Sequence, residues 1–327
     1  MIISRTPLRV SFFGGGSDLP AYYRGHGGAV LSTAIDKSVY VTVSRKFDDA
    51  VRVSYSRTEE VAHASAVEHP LVREALALLQ IEGGIEITSV ADIPARGTGL
   101  GSSSSFTVGL LNALHAHQGR HAAARQLAEE SCAIEIERCG EPIGKQDQYA
   151  AAFGGFNFIR FHRDDSVEVE AVACPAETTA ELQRHLLFFY TGYTRSASTL
   201  LAEQSANVGK PGAAATATAE LACLAEAAFA AVRVGRIDAL GPMLDQAWRL
   251  KRGLAAGVSN PPINQAYDAA RGAGAEGGKL LGAGGGGFLM FMAPPERHAA
   301  VRSALGGLRE TPFRFASQGS EIIFVYD

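Results

Sequence analysis

Residues 94 to 106, PARGTGLGSSSSF, have the composition of a turn that grips an anion and then opens a helix. Upstream, residues 84 to 90 (GIEITSV) alternate apolar and polar like a strand. Downstream, Phe106, Leu110, Ala113 and Leu114 recur at helical spacing. The glycines and serines therefore fall at a helix N-terminus. There the first N–H groups lack internal partners, the dipole adds positive charge, and glycine lets backbone close on phosphate oxygens. Gly97, Thr98, Gly99, Leu100, Gly101, Ser102, Ser103 and Ser104 are the candidate phosphate-binding residues; the alternative is an N-capped helix after a flexible turn. No Lys follows the last Gly, so this is not the GxxxxGK[ST] loop.

Two carboxylates accompany it. Asp18 follows the glycine cluster of FFGGGSDLP, and reads either as an acid facing a cleft or as a turn or N-cap residue. Asp147 lies between Gln146 and Gln148 near the start of a short predicted helix, in a segment otherwise small and apolar. A polar trio so placed suits a functional site, and the plain alternative is an N-cap aspartate. Gly284 to Gly287 separate two short apolar strands. Four glycines are costly to order, which points to close backbone approach, with a tight hairpin as the alternative.

These groups must be held by the elements around them. Residues 2 to 13, 29 to 45 and 51 to 55 read as strands of a mixed sheet, LVREALALLQ as a short helix, and HAAARQLAEESCAIEIER as a long helix stopping near Cys139-Gly140. A boundary near residues 174 to 182 divides the chain into domains 1–175 and 176–327. Beyond it come a buried strand (HLLFFYTG), a turn (TGYTRSAS) opening a helix, and a loop around 209 to 214. Two or three helices run through Trp248 and Arg252, and a Pro-started helix follows (PPINQAYDAARGAG). The chain then has a helix near 295 to 307 and strands around 312 to 316 and 320 to 326.

At 327 residues the chain can form two lobes with a cleft between them. Its net charge of −4 carries no electrostatic footprint for nucleic acid. No apolar run approaches the roughly 20 residues that span a bilayer, and MIISRTPLRV lacks a signal-peptide layout. A cytoplasmic protein is expected, with neither nucleic acid nor membrane as partner; whether it forms a homo-oligomer is left open. Cys132, Cys139, Cys174 and Cys223 form no CxxC pair and read as isolated buried thiols.

Three segments in order, TPLRVSFFGGGSD, PARGTGLGSSSS and KLLGAGGGGF, resemble the three motifs of the GHMP kinase superfamily, over nearly the whole chain. The middle one carries the GLGSSS of the PxxxGLGSSS pattern, with four residues in place of three between Pro94 and Gly99. FFGGGSDLP, GKQDQYAAAFGG, YTGYTRSAS and GGKLLGAGGGGF are similar, more narrowly, to the branch acting on heptose 7-phosphate and, more distantly, to L-fucose kinases. The GEHTDYNGG of galactokinases is not found in the first motif.

The resemblance implies an α+β, two-lobed GHMP kinase fold, with an N-terminal ribosomal-protein-S5-domain-2-like lobe and a C-terminal ferredoxin-like lobe. It implies ATP and Mg²⁺ as cofactors and a small-molecule sugar phosphate as substrate. The implied reaction is phosphorylation of the anomeric hydroxyl of D-glycero-D-manno-heptose 7-phosphate to the 1,7-bisphosphate, a step of heptose biosynthesis. Carried over by motif, Asp147 is the base or charge stabiliser for the attacking hydroxyl and Arg9 stabilises the developing alkoxide. Ser103 and Glu137 are the Mg²⁺ ligands. Glu135 is the rival of Glu137, since residues two apart on a helix lie about 200° apart and only one can face the loop. Asp18, with Gly15, Gly16 and Ser17, and Gly285 from the third motif fall on the substrate's side. A 7-phosphate calls for further cations, for which Arg195 and Lys251 or Arg252 are the candidates, each with a surface-charge alternative. The competing readings are a same-fold kinase for an unphosphorylated sugar such as L-fucose, and a non-catalytic sensor.

Overall fold

Strand β1 (Ile2–Phe13) is buried along most of its length and pairs antiparallel with β2 (Gly28–Arg45), reached through a glycine turn at 14–18 and helix α1 (Pro20–His26). The computed structural model describes residues 1–93, 97–193 and 197–326. The chain continues through β3 (Val51–Ser54), β4 (Thr58–Val61) and α2 (Pro70–Leu78) to β5 (Ile85–Ala91), which pairs antiparallel with the second half of β2 and parallel with β3. Helix α3 (Ser102–His117) follows the glycine loop, and α4 (Ala124–Cys132) runs into a π-helical turn at Ala133–Arg138. Helix α5 (Gln146–Phe153) then delivers the chain to β6 (Phe156–Phe161), on the first half of β2, and to β7 (Val167–Ala171).

The second half contains α6 (Ala176–His185), β8 (Leu186–Tyr190), α7 (Ala197–Val208), α8 (Ala213–Arg233), α9 (Leu240–Arg252), α10 (Pro261–Gly272), β9 (Gly277–Leu280), β10 (Phe288–Met292), α11 (His298–Ala304), β11 (Arg309–Glu310) and β12 (Glu321–Val325). Four of its strands form an antiparallel sheet in the order β11-β8-β10-β9. The fifth, β12, returns to the first sheet and pairs with β1, so that sheet reads β12-β1-β2-β5-β3-β4.

The second sheet is buried on both faces, and the period of two along its strands sorts the side chains. Leu186, Phe188, Phe288, Met290 and Met292 join the large core of the first lobe. Leu187, Phe189, Leu289 and Phe291 join a second core with Trp248, Ile263 and Tyr267. Helix α8 packs on β2 and α9 and stacks Phe229 on Phe158, ring centroids 4.4 Å apart. The two lobes therefore share a core.

The α+β, two-lobed architecture agrees with the expectation from the resemblance, with local departures. The long helix expected up to Cys139 changes to π geometry at Ala133. The loop around 209 to 214 is only four residues, because the Ala/Thr-rich run after Gly212 is already α8. That helix is 21 residues, long and apolar enough by composition to cross a bilayer, contrary to the sequence reading; its buried face packs inside the protein. Residues 312 to 316 contribute one bridge, Ile35 to Phe315, in place of a strand. Cys132 alone of the four thiols is fully buried and Cys223 is exposed. The expected boundary at 175/176 is crossed by β12 and by α8.

Candidate active site

Arg9 sits where β1 shifts register against β2, between Pro7 and Arg9. Pro7 has no N–H for the ladder, and an irregularity of this kind re-aims the neighbouring residues. The Arg9 backbone N–H goes to the Leu100 carbonyl (3.0 Å), tying the strand to the glycine loop. The Arg9 side chain is buried, and its guanidinium donates from Nε and Nη2 to Asp147 Oδ1 and Oδ2, both at 2.8 Å, and from Nη1 to the Gly99 carbonyl at 2.7 Å. A guanidinium carries five N–H donors, so two remain for a ligand. The pair places a fixed cation and a carboxylate at one point beside the loop.

Helix α3 begins at Ser102 after Gly101, a left-handed residue (φ 78°), and no side chain caps it. Its first N–H groups keep the unpaired donors that suit an anion. Close backbone contact holds the loop in shape. A Cβ on Gly99 would stand 2.3 Å from the Leu281 carbonyl oxygen, and one on Gly287 would stand 2.4 Å from the Thr98 carbonyl oxygen. The third glycine run is thus the backing of the second. The four serines divide their work: Ser105 Oγ donates to the Pro7 carbonyl (2.8 Å), Ser102 Oγ lies 3.4 Å from Thr98 Oγ1, and Ser103 and Ser104 turn to a carboxylate.

That carboxylate is Glu135. It accepts from Ser103 Oγ (2.9 Å), Ser104 Oγ (2.7 Å), Thr107 Oγ1 (3.3 Å) and Gln148 Nε2 (2.5 Å). Burial pushes its carboxyl up to about 7, while the bonds from Ser104, Ser103 and Gln148 pull it down. Glu137, the expected metal ligand, is exposed, while Glu135 two positions earlier is buried against the serines of α3. Among the described residues no group of three or more His, Cys, Asp or Glu could hold a metal. One buried carboxylate beside a serine hydroxyl nonetheless fits Mg²⁺, which commonly takes one or two carboxylates and completes its shell with water and phosphate oxygens.

A cavity opens on the other side of Arg9 and Asp147. Ser11, Gly15, Gly16, Asp18, Gln146, Lys251 and Lys279 are among the residues that line it. Asp18 accepts from the Gly16 N–H (2.9 Å) and from the Gln146 N–H at the start of α5 (3.3 Å), so it is a turn residue and a helix cap as well as a wall of the cavity. Burial raises its pKa, the Gly16 bond opposes that, and Asp147 nearby raises it further. A Cβ on Gly144 would lie 1.9 Å from Asp18 Oδ2, so only glycine permits this approach. Ser11 Oγ and Gln146 Oε1 are buried and have no hydrogen-bond partner.

The sequence trio Gln146-Asp147-Gln148 thus serves three directions, since successive helix residues turn by about 100°. Gln146 lines the cavity, Asp147 holds Arg9, and Gln148 holds Glu135. Of the expected substrate-side residues, Gly15, Gly16, Asp18 and Lys251 line the cavity. Ser17 does not: its hydroxyl is spent on Gly14 O and on the Ala29 backbone inside the turn. Gly285 is not among the lining residues either, and its N–H donates to the Val258 carbonyl at 3.0 Å. Arg252 lies over Trp248 and donates to Asn264 Oδ1. Arg195, and Pro94 to Arg96 at the start of the loop, lie outside the described residues. The sequence reading missed Ser11 and Lys279, and it named Gln146 only as a member of the trio around Asp147. For Lys279 the signal was present: a lysine inside a short, otherwise apolar strand, a residue type rarely buried without purpose.

Comparison with known proteins agrees with this geometry. Residues 63–155 match the family described as GHMP kinases N terminal domain and residues 226–307 match GHMP kinases C terminal, together more than half of the chain. A D-glycero-alpha-D-manno-heptose 7-phosphate kinase of Campylobacter jejuni is 28% identical, with 97% of each chain covered. An L-fucokinase/L-fucose-1-P guanylyltransferase of Bacteroides fragilis is 26% identical over 92% of this chain, but over only 35% of its own length. The crystal structure of a D-glycero-D-manno-heptose 1-phosphate kinase of Bacteroides thetaiotaomicron superposes with a TM-score of 0.82 at 26% identity, each chain fully covered. With a glycine loop at a helix start, an Arg–Asp pair beside it and matches to both domains in order, the chain belongs to the GHMP kinase family.

Proposed function

We propose that this chain is an ATP-dependent sugar kinase that phosphorylates the anomeric hydroxyl of D-glycero-D-manno-heptose 7-phosphate, giving the 1,7-bisphosphate. The observation that carries the reading is the ion pair of buried Arg9 with half-buried Asp147, between the phosphate loop and a polar cavity. The similarity to heptose phosphate kinases supports the substrate class. Those two relatives are named for phosphates at different positions of the sugar, so the site of transfer is the point to test.

The phosphate donor ATP and its Mg²⁺ supply an activated phosphoryl group and neutralise its charge. The loop from Gly97 to Ser104, uncapped at Ser102, would hold the phosphates, and Ser103 with Glu135 would hold the metal. Asp18, Ser11 and Gln146 would bind sugar hydroxyls, each having donor or acceptor capacity toward the cavity. Asp147 orients the anomeric hydroxyl and takes its proton. An anomeric hydroxyl is more acidic than an ordinary alcohol, which eases the transfer of its proton to a carboxylate. The two unused N–H donors of Arg9 stabilise the negative charge that develops as the proton leaves.

Incubation with ATP and a panel of heptose phosphates, hexose phosphates, free heptose and L-fucose, read by mass spectrometry and ³¹P NMR, tests this. A new anomeric phosphate on heptose 7-phosphate is expected. Equal turnover of L-fucose would replace the reading by that of a free-sugar kinase, and transfer to another hydroxyl would move the site.

A further inference from the structure

The cavity is lined by two lysines that form no ion pair with a carboxylate among the described residues. Lys251 on α9 and Lys279 on β9 are 6% and 5% exposed. Lys251 Nζ donates to the carbonyls of Leu280 (3.1 Å) and Gly282, and Lys279 Nζ to those of Ser11 (2.9 Å) and Phe12 (3.0 Å). The charged groups facing them come from four elements. Arg9 on β1 repels both, and each lysine stands near the other; Asp18 in the glycine turn attracts both from beyond contact. Asp147 on α5 is committed to Arg9. Buried cations without a counter-ion are costly, and the cost falls when an anion arrives.

The hydrogen-bond arithmetic is specific. An ammonium has three donors and a neutral amine has two. Each lysine has two carbonyls, so each is fully served as an amine and has one donor to spare when protonated. Burial first, and then the Arg9 charge, brings Lys251 down to about 7. Burial, then Lys251 and Arg9, holds Lys279 well below the usual lysine range.

We propose that Lys251 and Lys279 together form a phosphate-binding site that takes up protons as the anion enters, and that this site selects a phosphorylated acceptor. The proposal rests on reading the cavity as the acceptor's site. Two sources supply the same chemistry, the acceptor's own phosphate and the phosphoryl group in transfer, and the experiment separates them.

Inorganic sulfate, which does not titrate near neutrality, is the probe. Calorimetric titration of the full chain at about pH 8, in two buffers of different ionisation enthalpy, should show binding with net proton uptake by the protein. K279M and K251M should each weaken binding roughly tenfold to a hundredfold. K279R should restore the affinity without that lysine's share of the proton uptake, because arginine stays protonated. K210M, at an exposed lysine, should leave both unchanged. Unaltered sulfate affinity in folded K279M and K251M, or wild-type binding without proton uptake, overturns the proposal. So does loss of sulfate binding in K279M that K279R does not restore, since Lys279 would then only strap β9 to β1. If K279M fails to fold, K251M and K279R carry the test.

Kinetics assign the source. A raised KM for heptose 7-phosphate with kcat intact places the acceptor's phosphate on the lysines. A fall in kcat with phosphorylated and free acceptors alike places the transferred group there and overturns the selectivity claim. If sulfate binds as described but no sugar phosphate is turned over, the anion site stands and the acceptor assignment under the proposed function falls.

Discussion

Arg9 and Asp147 stand 138 positions apart and close a two-toothed contact at the hinge of the site. Asp147→Asn keeps the shape and removes both the proton acceptor and half of the ion pair. Turnover is expected to fall about 10²–10⁴-fold, while the Kd of a non-hydrolysable ATP analogue changes little. An equal loss of nucleotide affinity would make Asp147 a structural anchor of the loop instead. Glu135 gives a pH signature. Its carboxyl is raised from 4.5 to about 7 in the fold, so the folded state holds a proton that the unfolded chain releases. The stability this group contributes is therefore present below about pH 4.5 and is lost as pH rises toward and through about 7. The wild-type melting temperature should decline across that window relative to Glu135→Gln. Mg²⁺ with nucleotide should recover more of it above pH 7 in the wild type than in Glu135→Gln or Ser103→Ala. Parallel melting profiles would show that Glu135 is not the titrating group. At this scale residue type and spacing singled out Asp18, Asp147 and the serines of the loop, while Arg9 was singled out by the family resemblance alone. Which of Glu135 and Glu137 faces the serines was not legible, because that depends on how the segment AIEIER is rotated against α3, a tertiary contact with no local pattern.

The glycine loops are a scaffold in which each supports the other. Gly99 has φ 76° and no room for a methyl against the Leu281 carbonyl. Gly99→Ala should cost of order 1–3 kcal/mol, measured by chemical denaturation, and should weaken ATP-analogue binding more than it lowers stability. If binding survives while stability falls, the loop is a packing device and the phosphate grip lies elsewhere. The strands and the helix at Ser102 were readable from alternation and spacing, as was a glycine hairpin between β9 and β10. What that hairpin touches was not. Contact between residues near 99 and near 282 is a tertiary fact, and four glycines in a row state only that something comes close.

For the whole molecule, the two halves of the sequence do not correspond to two independent bodies. Phe229 from the second half stacks on Phe158 of the first, and β12 closes the outer edge of β1. Phe229→Ala should destabilise the protein by about 3–5 kcal/mol, with loss of both lobes in one transition. A fragment of residues 1–175 should lack a cooperative melt; a fragment with native-like unfolding would restore the boundary expected from composition. The sequence shows strands at both ends of the chain but no sign that they pair, because pairing across more than 300 positions leaves no local pattern.

That pairing has a consequence during synthesis. The partner that covers β1 on the side away from β2 leaves the ribosome roughly 15–60 s after β1 itself, at about 5–20 residues per second. For that interval one margin of the nascent sheet stands open to other chains. An added segment of residues 321–325 should compete for that margin during refolding, read as a slowed return of the native signal.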